Sequence, residues 1–105
     1  MIPLARDALP MIWWRATEND DDGDVTTTWE CTRITVIVTS YSIQSTVTQT
    51  EDGQVHEHVV SLLFSLPDGC EPLAGDRLGT IDCPTIHLRD VRIHGGQAEC
   101  TGVRL

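Results

Sequence analysis

The chain has 105 residues, which leaves room for one domain with one modest hydrophobic core. Its 16 acidic side chains outnumber 7 basic ones, all of them Arg, and give a net charge of −9. Proteins that grip nucleic acid or an anionic membrane surface need clustered cations, so this balance argues against both functions. It is compatible with a surface past which DNA slides without adhering, because like charges repel.

Export and membrane signals are weak in this sequence. No stretch approaches the roughly 20 apolar residues that a membrane-spanning helix needs. The segment 1–15 lacks a basic region followed by a clean apolar run, so it does not read as a signal peptide. We therefore expect the protein to be made in the cytoplasm, where its four cysteines would be free thiols: Cys31, Cys70, Cys83 and Cys100.

Apolar residues recur with a period of two along nearly the whole chain, which predicts β-strands. The predicted strands are, in chain order, 11–16, 26–39, 42–50, 55–66, 77–81, 85–94 and 98–105. One short helix fits only near the N-terminus, at about 4–9. Several short strands separated by turn signals predict one all-β domain over 1–105, an SH3-like or related small barrel.

The third and fourth of these strands form a predicted hairpin that spans about 43–62. Asp52-Gly53 favours a two-residue type I′ turn, which would place Thr50 opposite Val55 and Thr48 opposite Glu57. The tip of this hairpin has little apolar surface to bury on either face. We therefore expect it to project from the body of the domain.

The last two strands show changes of alternation that indicate β-bulges. One lies near Arg89-Asp90 and the other near Thr101-Gly102, on either side of a predicted turn at Gly95-Gly96. Bulges of this kind are typical of a small, strongly bent barrel.

A charged segment at about 18–25 follows the first strand and is predicted to be a solvated loop. Glu18, Asp20 and Asp22 would fit positions one, three and five of a calcium loop, but the twelfth position is Trp29 instead of Glu. We interpret the segment as an interaction surface or a repulsive face towards DNA. Its acidic residues are Glu18, Asp20, Asp21, Asp22 and Asp24.

Signs of metal binding and catalysis are weak. There is no Cys-x-x-Cys pair, and strand geometry would separate most of the remaining Cys and His side chains, including His56, His58, Cys83 and His87. The chain also lacks a Gly-x-Ser-x-Gly nucleophile elbow and a Gly-rich phosphate loop. We predict no catalytic, metal or cofactor-binding residues, and a protein that is not an enzyme.

Two features are candidates for protein interactions instead. Trp13 and Trp14 are adjacent on a strand and point to opposite faces, so one suits the core and the other an interface. The projecting hairpin would expose unpaired backbone edges, which strand addition between subunits could use. Its candidate residues are Thr46, Thr48, Thr50, Asp52, Gly53, Val55, His56 and His58.

Three segments together resemble a known family. They are 59–64 (VVSLLF), 73–78 (LAGDRL) and the closing hairpin from Ile86 through Gly95-Gly96 to Leu105. In order and spacing they are similar to the small head-closure, or minor capsid, proteins of tailed phages with long tails. The resemblance implies a small β-barrel that forms a homo-oligomeric ring below the portal, with inward loops that help to close the DNA channel until the tail attaches.

For this chain the resemblance implies a structural protein of the virion neck, assembled in the host cytoplasm. Its partners would be portal or adaptor and tail-terminator rings, with DNA passing nearby, no sequence-specific DNA binding and no membrane. The closing element would be the hairpin at 46–58, whereas Asp76 and Arg77 would shape a turn of the barrel. Whether the hairpin or the acidic segment faces the channel stays open.

Two alternatives also stay open. The chain could form a neighbouring layer, as a tail-terminator or adaptor ring subunit. It could instead be a small-barrel binding module that uses Trp13 or Trp14 in a peptide or ligand groove.

Overall fold

A computed structural model describes residues 8–105, and these form one antiparallel sheet of six strands. The sheet closes on itself in the order β1-β2-β3-β6-β5-β4, which confirms the predicted all-β barrel. No helix long and apolar enough to cross a membrane occurs in this part of the chain. The strands are β1 (Leu9–Asp21), β2 (Asp24–Thr50), β3 (Gly53–Ser65), β4 (Arg77–Gly79), β5 (Pro84–His94) and β6 (Gln97–Arg104).

Two of the predicted strands are in fact one. The segments 26–39 and 42–50 both belong to β2, which is 27 residues long. A straight strand of that length would span about 90 Å, whereas the longest dimension of the molecule is 53 Å. β2 must therefore bend. The helix predicted at 4–9 falls almost entirely outside the described residues, and Leu9 already begins β1.

The main irregularity of β2 lies opposite Trp13. Between Ile12 and Trp14 of β1 the register shifts, and β2 holds two extra residues there. Arg33 adopts a left-handed backbone with φ 63°, which is unusual for a residue with a side chain. The Thr32 hydroxyl donates a hydrogen bond to the Trp13 carbonyl at 2.7 Å, so a polar side chain satisfies a backbone group that the disrupted ladder leaves unpaired.

The predicted bulge in β5 is confirmed, since the register shifts between Leu88 and Asp90. The bulge predicted in β6 near Thr101-Gly102 is wrong, because β6 pairs with β3 without any shift and keeps a regular alternation of burial. Gly102 occupies an inward position where the backbone of His87 approaches too closely to admit a Cβ atom. The apparent change of phase in the sequence therefore comes from the missing side chain of Gly102 and not from an extra residue.

The turn of the projecting hairpin lies one residue earlier than predicted. Thr50 pairs with Gly53, and Thr48 pairs with Val55 instead of Glu57. Gly53 has φ 127° and pairs as the first residue of β3, so it does not take the left-handed helical conformation of a type I′ turn. The core pairing of β2 with β3 decides where this hairpin turns, because a register slip would move buried side chains to the wrong face.

The acidic segment 18–25, predicted as a loop, is instead the end of the β1–β2 hairpin. Asp21 pairs with Asp24, and the turn between them has φ 54° at Asp22 and 87° at Gly23. Positive φ at both positions is the type I′ geometry that the sequence had suggested for Asp52-Gly53. A two-stranded ribbon pairs the backbone while it leaves the carboxylates in water, so high charge did not require a loop here.

The core lies inside the barrel and draws on all six strands. The period of two is visible in β2, where Val36 and Val38 are fully buried whereas Thr35 and Ile37 are exposed. The buried apolar side chains are Trp13, Val36, Val38, Val60, Leu62, Phe64, Cys70, Leu78, Ile86, Leu88, Ala98 and Cys100.

Asp76 is the buried charged residue of the described chain, with 3 % of its surface exposed. One carboxylate oxygen accepts hydrogen bonds from the Trp13 indole N–H and the Leu73 amide, both at 2.9 Å. The other oxygen accepts from the Ala16 amide at 2.9 Å. The carboxylate therefore ties β1 to the segment that leads into β4, which is where the barrel closes.

We predict that Asp76→Asn destabilises the fold by about 2–4 kcal/mol. An amide keeps one acceptor oxygen, so its NH₂ group would face an N–H donor that loses its partner. Urea unfolding measures the effect, and Asp82→Asn is the matched control, because Asp82 is exposed. Equal unfolding free energies for the two variants would contradict the proposed role of the carboxylate.

The cysteines are free in the structure and differ in exposure. Burial raises the pKa of Cys70 to about 11, helped by the nearby charge of Asp76. Burial also raises the pKa of Cys100 to about 12, with smaller contributions from Asp90, Cys70 and Glu99. Both thiols are consequently neutral and shielded at pH 8, and the thiolate is the reactive form.

We therefore predict that iodoacetamide at pH 8 modifies the exposed Cys83 at least tenfold faster than Cys70 or Cys100. Peptide mass spectrometry reads the rates, and the same reaction in urea should make the three rates similar. Rapid modification of Cys70 or Cys100 in the folded protein would contradict the buried positions.

Candidate interaction surfaces

Two hairpin ribbons extend beyond the barrel, one formed by β1 and β2 and the other by β2 and β3. The acidic ribbon comprises 15–21 of β1, the turn at 22–23 and 24–30 of β2, where these strands pair only with each other among the described residues. The polar ribbon comprises 40–50 of β2, the turn at 51–52 and 53–58 of β3. Its residues 40–44 pair with 59–63 of β3, which also pair with β6, and beyond them only β2 and β3 pair with each other. Because the two ribbons lie at the two ends of the same strand, β2, they leave the barrel from opposite ends.

The acidic ribbon carries all five acidic residues predicted as an interaction surface, and each of them is exposed. None takes part in the ion pairs found within residues 8–105, which are Arg89–Glu57, Arg92–Asp90 and His94–Glu99. Val25 lies beside them with 63 % of its surface exposed. The ribbon is thus an uncompensated negative surface.

The polar ribbon contains the predicted hairpin residues, and nearly all of them are exposed. A few side-chain contacts brace it. The Ser45 hydroxyl and His58 Nδ1 are 3.1 Å apart, and the Thr46 hydroxyl donates to the Glu57 carbonyl at 3.5 Å. Glu57 also pairs with Arg89 of β5, which links the ribbon to the barrel.

One face of the polar ribbon continues the inward face of the barrel into solvent. Tyr41 pairs with Leu62 and Ile43 pairs with Val60, and both of these β3 partners are buried. Tyr41 and Ile43 are nevertheless each 42 % exposed, and Val47 on the same face is 54 % exposed. The barrel ends before it can cover this apolar row.

Metal ligands do not assemble in residues 8–105, where no group of three His, Cys, Asp or Glu side chains could hold an ion. His56 and His58 lie on the ribbon opposite Val47 and Ser45. Cys83 is exposed and precedes β5, whereas His87 points towards Arg77 of β4.

The two adjacent tryptophans point to opposite faces of β1, as the alternation of side chains along a strand requires. Trp13 is 2 % exposed and belongs to the core, so its prediction as an interface or groove residue is wrong. Trp14 is half-buried on the other face, and its indole N–H donates to the Thr80 carbonyl at 2.9 Å. Trp14 therefore fastens the turn after β4 to β1.

A groove that the sequence did not predict lies beside Trp29. It has a volume of about 470 Å³ between the base of the acidic ribbon and the segment before β4. Its lining residues are Ala16, Glu18, Thr27, Trp29, Leu73, Ala74, Gly75, Asp76 and His87.

Two side chains that line this groove, Trp29 and His87, both contact Arg77. The Arg77 guanidinium lies 3.4 Å from the centre of the Trp29 ring, and the Trp29 indole N–H donates to the Gly75 carbonyl at 2.8 Å. Arg77 Nε donates to His87 Nδ1 at 3.2 Å. Since arginine is only a donor, Nδ1 must be unprotonated, and the neutral ring carries its proton on Nε2.

The pKa of His87 is lowered by burial first, and then by the positive charges of Arg77 and Arg89. Nothing in the linear sequence brings these groups together, because 46 residues separate Trp29 from Gly75, whose carbonyl it contacts. In the sequence, Trp29 stood out only as the wrong residue for a calcium loop.

No protein-family model, no curated protein and no solved structure matches this chain.

The neutral state of His87 predicts a loss of stability in mild acid. Its folded pKa lies below the unfolded value of about 6.5, so the unfolded chain binds the proton more readily. Stability is complete above pH 6.5 and decreases as the pH falls through the folded pKa. Urea unfolding at pH 7.5 and 5.5 should show a smaller pH dependence in His87→Gln than in the unmodified protein.

The control for this experiment is His56→Gln, which removes an exposed imidazole from the polar ribbon. It should keep the pH dependence of the unmodified protein. An unchanged pH dependence in His87→Gln would show that the imidazole does not act as an acceptor for Arg77.

Proposed function

We propose that the chain is a ring-forming structural subunit of the head-to-tail connector of a tailed phage. It would form the head-closure, or stopper, ring that joins the portal or adaptor to the tail and helps to retain or pass DNA. The observation that supports this most is the pair of ribbons that leave opposite ends of a small closed barrel.

A connector subunit must touch its ring neighbours and also the layers above and below it. A closed barrel has few free strand edges to offer, because closure removes edges. The two ribbons restore free backbone edges on both ends of this barrel. Ribbons of this kind suit contacts that form on assembly, since a two-stranded hairpin alone is only marginally stable.

Charge supports the same function. The chain has no Lys, and the acidic ribbon presents carboxylates without ion-pair partners in the described structure. Around a channel, such a surface repels phosphate groups, so DNA passes without adhering. Of the polar ribbon, β2 contributes only uncharged side chains from Ser40 to Thr50, which suits protein contacts better than contact with DNA.

The same geometry supports a tail-terminator or adaptor ring subunit, which would occupy a neighbouring layer. The groove beside Trp29 favours a second candidate, a small-barrel module that binds a peptide or ligand. For that candidate the relevant tryptophan is Trp29, since Trp13 is buried.

The test is assembly on a template. The purified protein is mixed with portal rings from the genome that encodes it and inspected by native mass spectrometry and electron micrographs. We expect a cyclic layer bound to the portal. Val25→Lys and Thr48→Lys, one in each ribbon, identify the ribbon that contributes to assembly, because a new charge should weaken binding tenfold or more where it is buried.

Absence of any complex with portal, adaptor or tail rings would contradict a connector function. A saturable change of Trp fluorescence on addition of a peptide, lost in Trp29→Phe, would instead favour the binding module.

A further inference from the structure

Among the residues that the structure describes, the edge of β2 in the polar ribbon is unusually unprotected. From Ser40 to Thr50, β2 pairs with β3 on one side and with no other strand among residues 8–105. These eleven residues include no charged side chain, no Pro and no Gly. Proteins normally guard a free edge with charge, Pro, a bulge or a covering element.

Other free edges of the described structure are guarded in this way. The acidic ribbon carries Glu18, Asp20, Asp21 and Asp24 along its two strands. The part of β3 that does not pair with β6, residues 53–58, includes Glu57 between two histidines. From Arg89 to His94, β5 pairs only with β6, and that edge includes Asp90 and Arg92. The unguarded edge of β2 is therefore the place where a further strand can add.

We propose that this edge binds the same edge of a second copy of the chain. The two β2 strands run antiparallel about a two-fold axis at Ser45, so that residue i lies opposite residue 90 − i. This register pairs the whole free edge, from Ser40 with Thr50 of the second copy to Thr50 with its Ser40. The product is a four-stranded sheet in the order β3-β2-β2-β3, closed by symmetry after two copies.

Side-chain complementarity supports this register. Residues directly opposite each other in an antiparallel pair point to the same face. Ile43 of one copy lies opposite Val47 of the other, and the symmetry repeats the pair. Both side chains are largely exposed in the single chain, at 42 % and 54 %. On the opposite face, Gln44 meets Thr46, so only uncharged groups are brought together.

The net charge of −9 does not prevent a second copy from binding at this edge. Association of two such chains is opposed by repulsion wherever their carboxylates approach. The acidic ribbon leaves the other end of the barrel, so it stays far from this contact. Within residues 8–105, the uncharged edge is an extended surface on which two copies can pair without burying a charge.

This inference does not rest on the proposed function. A two-fold contact closes at two copies and builds no ring, so it describes the free protein. If the chain is a connector subunit, the two-fold contact would cover the polar ribbon until a portal ring displaces the second copy. Dissociation of the dimer would then be a step in assembly.

The register is tested with cysteine cross-links in a Cys83→Ser background, which removes the exposed native thiol. Ser45→Cys places two thiols opposite each other across the axis, at the Cα separation that a disulfide needs. Thr48→Cys is the matched control in the same ribbon, because Thr48 lies opposite Ser42 and its own copy is about 20 Å away. Under mild oxidation we expect the Ser45→Cys dimer to form at least tenfold faster.

Analytical ultracentrifugation of the unmodified protein between 1 µM and 1 mM measures the dimer itself. Val47→Lys should raise the dissociation constant at least tenfold, whereas Val25→Lys, in the acidic ribbon, should leave it unchanged. Thermal unfolding shows whether both Lys variants are folded. The cross-linking experiment uses neither variant, so it tests the register independently.

Three results would overturn the proposal. The first is a protein that is still monomeric at 1 mM. The second is an equal rate of cross-linking for Ser45→Cys and Thr48→Cys. The third is an equal dissociation constant of the dimer for Val47→Lys and Val25→Lys. Hydrogen exchange adds a fourth. Protection of Ser40 to Thr50 that does not change with concentration would show that the chain covers this edge itself.

Discussion

The fold depends on one buried carboxylate. Asp76 receives three N–H groups, two of them from β1 and one from its own turn. A buried anion is stable only when hydrogen bonds replace its lost hydration, so the whole site must form together. Trp14 and Trp29 fasten the flanking residues Thr80 and Gly75 by their indole N–H groups. All three tryptophans thus serve the closure of the barrel at β4, a strand of three residues.

Closure there accounts for the shape of the rest. β1 meets β4 over only three residue pairs, so β1 and β2 leave the barrel soon after Trp14 and continue as a ribbon. At the other end β6 stops at Arg104, and β2 and β3 continue without it. Two ribbons with different chemistry therefore come from one cause, a barrel shorter than its longest strand. The proposed assembly and the proposed self-pairing would both use the backbone that this mismatch leaves free.

The sequence predicted the strands well, because period-two alternation reports directly which side chains face a core. It also predicted the projecting hairpin and the bulge at Arg89-Asp90, since a tip without apolar residues has nothing to bury. It failed where a glycine or a turn has two readings. Gly102 lacks a side chain, which in the sequence looks like the change of phase that a bulge causes. The type I′ turn that Asp52-Gly53 predicted forms instead at Asp22-Gly23.

The amino-acid sequence alone predicts the fold class, the inward face of most strands and the uncharged composition of β2 in the polar ribbon. These follow from local pattern, in which each residue type is read against its near neighbours. The folded structure was needed to show that Trp13 is core, that Arg77 contacts both Trp29 and His87, and that the two ribbons leave opposite ends. Those facts depend on strands that meet after tens of residues, and their register is set by the packing of the closed barrel.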